Sequence, residues 1–149
     1  MLWLLIMPFR FNDDISTADV AFEAWGETRE ELFISCAAAL LGTMTAAPEQ
    51  VARREKLTVR LEHEELDLLL WSFLQELIFY KDARQLLLHA DRVRIEEREG
   101  LFCLEAVVSG ERIDAGRHRL LVDVKAVTLH RFQLTFKDTV WKAVVVLDV

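Results

Sequence analysis

The chain has 149 residues, 52% apolar and 29% charged, with 25 acidic against 18 basic side chains and a net charge of −7. One domain of this length buries a full core, and the acidic balance excludes the broad basic stripe that sequence-independent nucleic-acid binding needs. The expected partner is a protein or a cation, with no strong direct nucleic-acid binding and no membrane insertion.

At the N-terminus, Met1–Met7 is a run of seven apolar residues before Pro8. That is too short to span a bilayer, and it lacks the charged region and cleavage site of a secretory signal. Residues 1–8 therefore read as an extension ahead of a domain that begins near Phe9. Cys36 and Cys103 sit among apolar neighbours with no CxxC or CxxH context, and read as reduced core residues of a cytoplasmic protein.

Phe9–Asn12 alternates and predicts a short strand, followed by a polar loop to Asp19. Val20–Trp25 alternates again, and Gly26 closes that strand. Thr28 with Glu31 forms a capping-box signature for a first helix over about Arg29–Gly42, carrying Leu32, Phe33, Cys36, Leu40 and Leu41 at helical spacing. Leu57, Val59 and Leu61 mark a half-buried strand. A second helix spans about Asp67–Lys81 and is apolar nearly all round, which predicts deep coverage.

Only strand-like segments follow. They lie at Val93–Arg98, Leu101–Val108, a short piece near Glu111–Asp114, Val122–Lys125, Thr128–Phe136 and Trp141–Leu147. Glu99-Gly100 predicts a hairpin between the first two. The expected fold is a single α+β domain of mostly antiparallel or mixed β-sheet with two main helices.

Three constellations could carry chemistry. The apolar run Ala143–Leu147 ends on Asp148 and Val149, so an anchored last strand would hold the Asp148 carboxylate beside the α-carboxylate of Val149. Such clustered hard oxygens suit Ca²⁺, Mg²⁺ or Mn²⁺, although an exposed, solvated acid pair is the plain alternative. The loop Asp13–Asp19 is first of all a run of turn formers, but Asp19 stands just before a core strand and projects a carboxylate from a rigid edge. The stretch Gly110–Thr128 holds Glu111, His118, Asp123 and Lys125. Alternation of Val122, Val124 and Ala126 makes Asp123 and Lys125 same-face neighbours, at the least a surface ion pair.

Taken in order, these pieces resemble the archease family over nearly the whole chain, from about Phe9 to Val149. The resemblance rests on Ser16-Thr17-Ala18-Asp19-Val20, Ala24-Trp25-Gly26, Glu30-Glu31-Leu32-Phe33, Leu74-Gln75-Glu76-Leu77, Gly110-Glu111, His118, Val124-Lys125-Ala126-Val127-Thr128, His130 and the ending Val145-Val146-Leu147-Asp148-Val149. In one place the chain departs from it. The family pattern reads His-Thr-Ala-Asp, and Ser16 takes the place of the histidine.

The resemblance implies an accessory protein, not an enzyme. It would assist the RNA ligase that joins 2′,3′-cyclic phosphate or 3′-phosphate ends to 5′-hydroxyl ends in tRNA splicing and RNA repair. It would promote guanylylation of that RNA-splicing ligase and its repeated turnover. It further implies a divalent cation, calcium first, held by Asp19, Asp148 and Val149, with Lys125, His118 and Ser16 facing the partner or a phosphate. A monomer or weak dimer is expected. Two other classes stay open on the residues alone: a small metal-dependent phosphoesterase using the same acids, and a chaperone-like interaction domain without chemistry.

Overall fold

A computed structural model describes residues 8–12 and 19–149. Among these residues the order is β1 (Phe9–Asn12), β2 (Asp19–Gly26), α1 (Arg29–Met44), a short 3₁₀ turn (Pro48–Gln50), β3 (Glu55–His63), α2 (Leu66–Arg84), β4 (Leu86–Arg98), β5 (Leu101–Arg112), β6 (Ala126–Lys137) and β7 (Val140–Asp148). The strands form two wholly antiparallel sheets, ordered β1-β2-β7-β6 and β3-β5-β4. The α+β expectation holds.

Each helix touches both sheets, so the two helices fill the space between the sheets' inner faces. Period-2 alternation decides which side chains go there. In the first sheet Phe22, Ala24, Val145, Leu147 and Val127 point inward, and in the second Val59, Leu104, Ala106, Val108 and Ile95 do the same. Phe33 of α1 stacks on Phe73 of α2 with ring centroids 6.0 Å apart, and both rings are fully buried. Burying a side chain of this size stabilises the fold by about 2–3 kcal/mol.

The local signals were read correctly at most element starts. Glu31 donates its amide N–H to Thr28 Oγ1 (3.1 Å), as a cap should. The returning Glu31 carboxylate accepts from the Glu27 amide (2.8 Å), one residue before the cap. Gly42 does not stop α1, which runs on to Met44. The second helix likewise continues three residues past Lys81 and ends where Gln85 adopts a left-handed conformation (φ 54°). Its coverage is deep, except that Phe79 is exposed.

The hairpin at Glu99-Gly100 forms as expected, with both residues at positive φ. Three strand readings change. The strand expected at Val93–Arg98 begins seven residues earlier, at Leu86. The short piece near Glu111 belongs to β5, and Val122–Lys125 is irregular. Residues 113–125 make a connector held by isolated contacts rather than a ladder: Ile113 donates to Gln85, Ala46 to Arg119 and Leu121 to Met44.

The cysteine reading divides in the same way. Cys36 is completely buried, and burial pushes its thiol pKa up. Cys103 is half-buried and lies on the face of β5 opposite Leu104, between Glu62 and Glu96, so it is not a core residue. Both are free thiols. No described helix is long and apolar enough to cross a membrane.

Gly110 shows why a residue type is fixed at one point of the ladder. A Cβ there would collide with the backbone carbonyl of Leu87 on β4. Gly110→Ala is expected to cost about 3 kcal/mol or more, because backbone, not a mobile side chain, blocks the space. Urea unfolding of the variant, read as a lower midpoint at unchanged slope, checks this.

Candidate functional site

The β2–β7 register builds the site. Asp19 stands opposite Asp148, and Ala126 of β6 flanks Asp148 on the other side. Residues paired in register share a sheet face, so the two carboxylates are neighbours. Their inner-face neighbours Val20 and Leu147 pack into the core, which turns both acids outward. Val149 packs its side chain against the core and so can offer only its main-chain oxygens. Lys125 comes from the connector: its amide N–H donates to the Asp148 carbonyl (2.8 Å), and its side chain is exposed. The structure therefore brings Asp19, Asp148, Val149 and Lys125 to one edge.

The electrostatics of this sheet face are uneven. Further along the same face, Glu23 is bridged by Arg10 (2.5 Å) and Lys142 (3.3 Å). Partial burial pushes the Glu23 carboxyl up, but these two cations outweigh it and hold the group below its ordinary range. Among the described residues, neither Asp19 nor Asp148 has a side-chain ion pair. Directly opposed like charges destabilise a sheet. Asp19→Asn is expected to raise metal-free stability by about 0.5 kcal/mol. Urea midpoints in EDTA at low ionic strength should show the gain, and should show it shrinking in high salt.

As donors, the two carboxylates and the Val149 main-chain oxygens are hard ligands of the kind Ca²⁺, Mg²⁺ and Mn²⁺ accept. No three His, Cys, Asp or Glu side chains come together as a metal cluster among the described residues. A cation here would therefore draw the rest of its shell from water, from a partner or from oxygens outside that set. Ser16 lies outside the described residues, together with the loop acids Asp13 and Asp14.

His118 is elsewhere. Its side chain is fully buried, with Nδ1 accepting from the Asp114 amide (2.9 Å) and Nε2 facing Glu111 Oε1 at 3.6 Å. Glu111 is buried too. It accepts from the Ala52 amide (2.6 Å) and pairs with Arg117. This cluster fastens the start of the connector to the core; as the structure places it, His118 offers no surface to a partner or a phosphate.

Burial first, then the Arg117 charge, lowers the His118 pKa, and burial also lowers that of His89. The unfolded forms keep a pKa near ~6.5. Below that value the unfolded chain binds more protons than the folded one, so stability falls as pH drops. Acidification from about pH 7 to 5.5 should lower the urea midpoint. His118→Asn, which keeps an acceptor for the Asp114 amide, should flatten that slope.

Sequence reasoning missed Lys81. It is buried, with 5% exposure, and its ammonium meets Val124 O (2.5 Å), Asp123 Oδ1 (2.5 Å) and Asp82 Oδ1 (2.8 Å). Asp123 thus pairs with Lys81, not with Lys125. A lysine in the last turn of a helix reads as a solvated end, and only the folded connector lying over it reveals otherwise. Beyond Leu120 the connector exposes three consecutive apolar residues, Leu120, Leu121 and Val122, at 40–57%.

Residues 9–149 match the model of the Archease protein family. The chain belongs to the archease family. Protein archease of Thermococcus gammatolerans is 37% identical over 133 residues, covering 89% of this chain and 93% of that one. Methanobacterium thermoautotrophicum protein 1598, solved in solution, is 34% identical with a TM-score of 0.84, covering 97% of this chain and 100% of its own. A Thermotoga maritima crystal structure described as an archease, possible chaperone, shares the fold at a TM-score of 0.63 and 20% identity, covering 94% of this chain and 98% of that one. The fold is thus common to this chain and the two solved structures, and in this chain it sets Asp19 against Asp148.

Proposed function

We propose that this archease-family chain is a non-catalytic activator of a GTP-dependent RNA ligase. The ligase would join 2′,3′-cyclic phosphate or 3′-phosphate RNA ends to 5′-hydroxyl ends, in tRNA splicing or RNA repair. The observation that carries the reading is the Asp19–Asp148 pair, without a side-chain ion pair among the described residues, at the end of the β2–β7 ladder where the Lys125 main chain joins it. An acid pair with no side-chain ion pair among the described residues, in a fold that neutralises Glu23 twice over, supports the reading of a site for an external positive charge.

Asp19, Asp148 and the Val149 main-chain oxygens would hold a divalent cation, Ca²⁺, Mg²⁺ or Mn²⁺. When bound, it would supply charge neutralisation near nucleotide phosphates. The two carboxylates fix where that charge sits. Lys125, exposed and tied through its amide to the Asp148 carbonyl, would contact a phosphate or a carboxylate of the ligase. The exposed Leu120–Val122 run, which precedes Lys125 in the connector, is a surface of the kind a protein partner covers. In this reading the chain promotes guanylylation of the ligase and multiple turnover, and does no chemistry of its own.

The test is ligase guanylylation with GTP, with and without this protein. Wild type should accelerate it, and Asp19→Ala should reduce the acceleration by more than tenfold while remaining folded. In a parallel thermal scan, Ca²⁺ at about ten times its dissociation constant should raise the wild-type Tm by about 4 °C and leave Asp19→Ala nearly unmoved. Normal acceleration by Asp19→Ala would remove the carboxylate edge from the mechanism. Consumption of a phosphate ester with metal alone, before any ligase is added, would make the chain a phosphoesterase instead.

A further inference from the structure

We propose that Lys81 is a positioning residue for Lys125, clamping the backbone that presents it. The argument starts from what the connector lacks. Residues 120–125 form no strand, and Lys125 is exposed, so nothing regular fixes its direction. Yet the main chain on both sides of it is held by α2.

Before it, Val124 is completely buried, and its carbonyl accepts from Lys81 Nζ at 2.5 Å. After it, Val127 has both main-chain groups taken by α2 side chains: its N–H donates to Gln75 Oε1 (2.6 Å) and its carbonyl accepts from Trp71 Nε1 (2.8 Å). Between them, the Lys125 N–H reaches the Asp148 carbonyl. The helix thus grips residues 124 and 127, and β7 grips residue 125.

Lys81 is suited to this and to little else. An ammonium has three donors, and here all three have an acceptor: the Val124 carbonyl, Asp123 and Asp82. Burial alone would lower its pKa, but the two carboxylates outweigh burial and raise it, so the charge persists. A merely structural ion pair would need no backbone acceptor. The Val124 contact is what ties the buried cation to the residue before Lys125.

The role of Lys125 that this serves rests on the proposed ligase activation, whereas the clamp itself does not. Two measurements keep these apart. The first needs no partner: amide hydrogen exchange followed by NMR in wild type, Lys81→Met and Lys81→Arg. Lys81→Met should speed exchange of the Lys125 amide at least tenfold, with Lys81→Arg restoring most of the protection. Wild-type protection of that amide in Lys81→Met would overturn the proposal, whatever the ligase assay shows.

The second is a cycle in the guanylylation assay. If Lys81 acts through Lys125, adding Lys81→Met to Lys125→Ala costs nothing beyond Lys125→Ala alone. Multiplying losses would mean that Lys81 acts on stimulation by another route, and would equally overturn it. Should Lys81→Met fail to fold, Lys81→Gln takes its place with the same expectations.

Discussion

The β2–β7 ladder is the constraint on which the rest depends. It pairs the strand that opens at Asp19 with the one that closes at Asp148, across nearly the full length of the chain. Bringing such distant residues together costs loop-closure entropy that only extensive burial can repay. Phe22 and Val145, inward-facing register partners with no solvent exposure, provide part of it. The same pairing turns Asp19 and Asp148 outward. A one-residue slip of β2 would turn Asp19 into the core and Phe22 out of it, so the packing of the core and the placement of the acid are one choice.

Much of this could be read from the chain beforehand, and the reasons are local. Alternation located β2, and the apolar run Ala143–Leu147 located β7, which is buried along most of that run. The Thr28–Glu31 cap located the start of α1 because it is settled within four residues. Gly110 and Glu111 were visible as a motif, but their purposes were not. One admits a neighbouring backbone, and the other is a buried carboxylate joining Ala52, Arg117 and His118.

The connector defeated sequence reasoning for a physical reason. Val122, Val124 and Ala126 alternate like a strand, but no strand lies alongside to complete a ladder. Its backbone is satisfied by isolated main-chain contacts and by side chains instead: by Lys81 at Val124, and by Gln75 and Trp71 at Val127 where β6 begins. Those donors and acceptors sit on a helix some fifty residues away, so no pattern within the connector can announce them. His118 was misjudged for the same reason, since its partners converge only on folding.

The two kinds of polar burial in this fold do opposite things. At Glu111 and Lys81 charge is taken inside and matched group by group, which fixes the connector at its two ends. At Asp19 and Asp148 charge is left half-exposed and, among the described residues, without a side-chain ion pair, on a strand pair that cannot move away. A chain whose basic side chains already reach Glu23 from two strands could have placed one beside Asp148 as readily. Local rules of this kind are broken mainly where function requires it. In the proposed activator the unmatched acids are the working surface, and the matched charges behind them keep Lys125 in line with it.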